Sequence, residues 1–158
     1  MAEKVVLTEK LWALLDVECI DTSPRHRCIR KLYILSKNGV DDMEMEFHPC
    51  RPYRDILPKY QTSYHYCQRH IHKLSYAPSW RVTSFYCRDS VPKLNEFIVN
   101  NGIELILFKG GTIELELCKK LDIDCMNIEC MGIGKANSHD PREEVNLYYN
   151  QLIKLYNQ

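Results

Sequence analysis

The residues best placed to do chemistry are Asp16 and Glu18, in the stretch WALLDVECI over 12–20. Trp12, Ala13, Leu14, Leu15 and Val17 make the apolar run of a central strand covered on both faces. Side chains two apart on a strand leave the same face, so the two acids point the same way. Two carboxylates side by side in a core repel each other and resist losing their water. A bound divalent cation is the usual offset. The alternative is a strand that frays at Asp16 and leaves both acids solvated.

The elements that must position these acids can be read in order. A Ser-Pro turn follows the first strand, and RCIRKLYILS (27–36) reads as a second strand. Asn38-Gly39 is a hairpin signal. DDMEMEFH (41–48) alternates strictly, with Met43, Met45 and Phe47 on one face, as an edge strand does. Prolines 49 and 52 end this meander. A helix is expected within 54–74, with Tyr64, Cys67, Ile71 and Leu74 on its core face, then an irregular connection over 75–88. Asp89-Ser90 can cap a helix that has Pro92 in its first turn and closes at Gly102. IELILF (103–108) is a second buried strand, and Lys109-Gly110-Gly111 follows it. Thr112 can cap a helix through Leu121, CMNIE (125–129) is the last strand, and a final helix runs over 141–156. The order β-β-β-α-β-α-β-α predicts an α/β chain: a mixed sheet of three antiparallel strands, then alternating helices and strands, with helices on both faces.

Bulk properties narrow the field. With 158 residues the chain has the size of one domain, 1–158. Lys plus Arg is 21 and Asp plus Glu is 21, so no global charge points to nucleic acid or membrane. Local basic segments exist, at 25–31 with Arg25, Arg27, Arg30 and Lys31, and at 69–73 with Arg69 and Lys73. No apolar run is long enough to span a membrane, and the N-terminal residues lack a secretory pattern. The eight cysteines sit mostly among apolar neighbours, so reduced thiols and an intracellular site, cytoplasmic or nuclear, are expected. A scattered zinc site from among Cys50, His65, Cys67, His70, His72 and Cys87 is a further reading, without any C-x-x-C pair to support it.

The order of the acids resembles the ribonuclease H-like fold and, within it, the DEDDh (DnaQ-like) family of 3′–5′ exonucleases. Asp16-Val17-Glu18 matches that family's Asp-x-Glu on the first strand. His139, followed after four residues by Glu144, matches its His-x4-Asp before the last helix, with Glu in place of Asp. In the middle motif Gly110 stands at the family's asparagine, Ile113 at its aromatic residue and Glu114 at its aspartate. Two of the four carboxylates are therefore glutamates.

The resemblance implies two Mg²⁺ or Mn²⁺ ions held by Asp16, Glu18, Glu114 and Glu144, with His139 as general base. It implies a single-stranded DNA or RNA 3′ end as substrate. Arg25, Arg27, Arg30, Lys31, Arg69, Lys73 and Lys109 could meet its phosphates, and Tyr64, Tyr66, Tyr76 and Trp80 could stack on its bases. The substituted acids leave a second reading open: a nuclease-fold module that binds nucleic acid or protein without cleaving. Taken singly, Glu114, Asp140, Glu143 and Glu144 are also ordinary first-turn acids of helices.

Overall fold

The computed structural model describes residues 2–19, 29–46, 90–134 and 140–156. Among them run α1 (Ala2–Glu9), β1 (Trp12–Cys19), β2 (Ile29–Ser36), β3 (Asp42–Glu46), α2 (Ser90–Asn100), β4 (Leu105–Phe108), α3 (Ile113–Leu121), β5 (Asp124–Asn127), a 3₁₀ turn (Glu129–Met131) and α4 (Pro141–Tyr156). The helix expected within 54–74, the connection over 75–88 and the Cys/His group proposed for zinc lie outside the described residues.

The five strands form one mixed sheet in the order β3-β2-β1-β4-β5. β2 runs antiparallel to both β1 and β3, whereas β1, β4 and β5 are parallel. β1 is central, which is why its apolar run is continuous. Its side chains alternate between two cores. Ala13, Leu15 and Val17 pack with Leu94 of α2 and with Leu117, Cys118 and Leu121 of α3. Trp12 and Leu14 pack with Leu7 of α1 and with Val145, Tyr148 and Leu152 of α4. Helices thus cover both faces, as the sequence order predicts.

Local signals explain most boundaries. Gly39 turns the β2–β3 hairpin at φ +74°, and Asn38 Oδ1 accepts the Val40 and Asp41 amides. α2 ends in a Schellman cap: Gly102 at φ +60° donates to Val99 O at 3.2 Å, and Ile103 donates to Ile98 O at 3.0 Å. One expectation needs correcting, and one element went unread. Thr112 precedes α3 but makes no side-chain capping bond, because its own backbone is already helical (φ −96°, ψ −14°). The sequence reading also passed over α1. Among its described side chains that helix firmly buries Leu7 alone, and it is held from outside: Trp12 Nε1 donates to Leu7 O at 2.9 Å, and Lys37 Nζ donates to the carbonyls of Thr8 and Lys10.

Candidate metal centre

β1 outruns its parallel neighbour. Only Trp12, Ala13 and Leu14 pair with β4, so the β4-facing edge of β1 opens beyond Leu14. The chain leaves β1 toward β2 on one side and leaves β4 toward β5 on the other. This is the crevice at the carboxyl ends of parallel strands where open α/β sheets place their ligand sites.

Asp16 and Glu18 share the β1 face that turns toward α4, in register with Tyr33 and Lys31 of β2. Glu144 projects from the first turn of α4 to meet them. One carboxylate oxygen from each of Asp16, Glu18 and Glu144 lies within 4.8 Å of the others. Glu114 arrives from the first turn of α3. Its Oε1 accepts the Val17 amide at 3.3 Å, so a side chain takes up a strand amide just past the β1–β4 ladder. Gly111 makes room for this carboxylate: a Cβ there would stand 2.7 Å from Glu114 Oε2, and its φ of +76° already favours glycine. Gly110, also at positive φ, donates to Asn127 Oδ1 at 2.9 Å. The same oxygen accepts the Glu129 amide, which ties the loop after β4 to the end of β5.

The electrostatics are those of crowded, buried acids. Burial first, then the facing Glu144 carboxyl, lifts Asp16 well above the ordinary carboxylate range. Burial and the Asp16 charge push Glu18 up to about 8. The same two causes push Glu114 to about 8, against the pull of its backbone hydrogen bonds. Burial raises Glu144 to about 7, with Glu18 adding to the rise and the hydrogen bond with Asp16 opposing it. Among the described residues none donates a hydrogen bond to Asp16 Oδ2 or Glu144 Oε2, although both atoms are buried. Inward-facing carboxylate oxygens with no donor are what a hard divalent cation satisfies, and the donor set is all oxygen. The acidic cluster could hold a metal ion.

The cations predicted to face phosphate are placed unequally. Lys31 is 7% exposed, and its Nζ meets Glu44 Oε1 at 2.8 Å and Asp140 Oδ1 at 3.1 Å. Burial works against its charge, but those hydrogen bonds outweigh it and hold its pKa above the usual lysine value. Lys109 follows β4, with Nζ 5.3 Å from the centroid of the Tyr148 ring. Arg30 lies in β2. His139, Arg25, Arg27, Arg69 and Lys73 lie outside the described residues, as do Tyr64, Tyr66, Tyr76 and Trp80. Asp140 stands at the start of the last helix, where the sequence places an ordinary helix-start acid. It caps α4, with Oδ1 accepting the Arg142 amide at 3.0 Å. The Asp-Pro pair at the helix start was its available signal.

No protein-family model matches this chain, and no curated protein does.

Proposed function

We propose that this chain is a metal-dependent 3′–5′ exonuclease of the DEDDh type, a single domain on a ribonuclease H-like sheet. The observation that carries the reading is the meeting of Asp16, Glu18 and Glu144, in which Asp16 Oδ2 and Glu144 Oε2 are buried without a donor among the described residues, while Glu114 abuts them from α3. The topology supports it: the first three strands form an antiparallel meander, and two parallel strands are added on the far side of β1. The four acids arrive from the strand and the two helix starts that the resemblance requires.

Asp16, Glu18 and Glu144 would hold the cation, Mg²⁺ or Mn²⁺, and Glu114 would supply the fourth carboxylate of the two-ion set. When bound, a pair of such ions clamps the scissile phosphate and stabilises charge at the attacking and leaving oxygens. The protein's own part is to keep the carboxylates facing inward at the end of β1 and to exclude bulk water with α3 and α4. His139, just ahead of α4, takes the proton of the attacking water. Lys109, Arg30 and the basic segments around Arg25, Arg27, Arg69 and Lys73 meet the phosphates of a single-stranded DNA or RNA 3′ end.

The test is 3′ trimming of end-labelled single-stranded DNA and RNA in Mg²⁺ or Mn²⁺, wild type beside Asp16→Asn. The expected outcome is nucleotide release that falls at least about a hundredfold in the variant, with an unchanged circular dichroism spectrum. Ion binding without any cleavage would instead establish the second reading, a nuclease-fold module that binds without cutting.

A further inference from the structure

We propose that Lys31 is a positioning residue that sets the first turn of α4, and with it Glu144, against the acids of β1. This rests on the reading of the carboxylate cluster as a metal centre. Lys31 stands opposite Glu18 in the β1–β2 register, where a lone lysine would be expected to neutralise that acid. Its ammonium instead joins β3 to α4, through Glu44 Oε1 at 2.8 Å and Asp140 Oδ1 at 3.1 Å. Asp140 is the cap of α4: Oδ1 takes the Arg142 amide at 3.0 Å, and its carbonyl takes the Glu144 amide at 3.0 Å. The other oxygen of Glu44 meets Arg142 Nη2 at 3.0 Å, and the Arg142 guanidinium lies 5.0 Å from the centroid of the Tyr33 ring. Glu44 therefore grips the helix start twice, once through Lys31 and once through Arg142. A continuous set of contacts runs from β3 through Lys31 and Asp140 to the peptide that carries Glu144.

The sign of the effect separates positioning from simple charge. A cation beside acidic ligands repels an incoming metal, so if Lys31 acted only through its charge, its removal would tighten metal binding. A positioning role predicts the reverse, because a loosened α4 no longer presents Glu144. Partners of this kind typically cost about 10–100-fold in metal affinity when removed.

The experiment is calorimetric titration of Mn²⁺ into full-length wild type, Lys31→Met, Lys31→Arg, Asp140→Asn and the double variant Lys31→Met/Asp140→Asn. Amide hydrogen exchange at Arg142 and Glu144 is measured alongside in metal-free protein. Asp140→Asn keeps the helix cap but loses the charge that Lys31 holds. If Lys31→Met does not fold, exchange at Arg142 and Glu144 in Asp140→Asn decides, because loss of that anion alone also weakens Mn²⁺ binding. The expected result is Mn²⁺ affinity at least about tenfold lower in each single variant, no further loss in the double and recovery in Lys31→Arg. Exchange at Arg142 and Glu144 rises at least about tenfold, while Tyr148 and Leu152 further along α4 keep their protection. Unchanged or tighter Mn²⁺ binding in Lys31→Met, with unchanged exchange, overturns the positioning role and leaves the metal centre standing. A wild type that binds no Mn²⁺ overturns both.

Discussion

Glu114 is the residue at which folding and chemistry meet most directly. The residue is 6% exposed and its carboxylate accepts the Val17 amide, yet burial and the charge of Asp16 oppose its ionisation. Its pKa rises from an unfolded value near 4.5 to about 8. The stability it contributes is therefore complete below about 4.5 and is lost as pH rises through 8. Glutamine imitates the protonated form at every pH and can still accept the Val17 amide. Glu114→Gln is expected to leave stability unchanged at pH 4 and to stabilise metal-free protein by about 1–3 kcal/mol at pH 9. Urea denaturation at the two pH values checks this; a destabilised variant at pH 9 would show that Glu114 is held by a charge partner. Not all of this was legible in the sequence. The spacing of Asp16 and Glu18 reveals a shared face because strand geometry is local. The contact of Glu114 with Val17 depends on where β4 stops pairing with β1, and no local pattern records that.

At the scale of elements, three connections bring the acids together: the end of β1, the Gly110-Gly111 loop into α3, and the capped start of α4. Strands and helices with strong periodicity were readable, and their boundaries agree with turn chemistry at Gly39 and Gly102. What the sequence hid was the cross-linking between elements. Lys31 looked like one more cation of a basic segment, and only the approach of Asp140 and Glu44 shows it to be internal. Asn127 is a similar case. A single exposed asparagine at a strand end carries no signal, yet its Oδ1 accepts two amides and so holds the loop that carries Gly111 beside Glu114. Asn127→Ala is expected to cost about 1 kcal/mol, because both amides lose their acceptor. Asn127→Asp, which keeps the oxygen, should cost less. Thermal denaturation of the pair decides whether the hydrogen bonds or mere packing matter at that corner.

Across the whole molecule, the sheet has an N-terminal antiparallel half and a C-terminal parallel half, and Asp16 and Glu18 lie at their seam on β1, where Glu144 meets them. Concentrating like charge there works against the fold that builds it. The folded pKa values of Glu18, Glu114 and Glu144 stand at about 8, 8 and 7, and that of Asp16 is also well above its unfolded value. Every one of these groups favours the folded chain when protonated, so their contribution is present below about pH 4 and drains away as pH rises toward 8. A cation reverses the sign, since it binds the ionised carboxylates and only the folded chain brings them together. In EDTA, the free energy of unfolding should therefore fall between pH 5 and pH 8, by an amount that Asp16→Asn reduces. Mn²⁺ should restore it most at the alkaline end, by about 2.7 kcal/mol at a hundredfold excess over its dissociation constant. Urea titrations at pH 5, 6.5 and 8, with EDTA or Mn²⁺, measure both effects on one axis. A flat profile in EDTA would mean that the acids do not crowd one another in solution. A falling profile that Mn²⁺ leaves untouched would mean that they crowd for some purpose other than holding a metal.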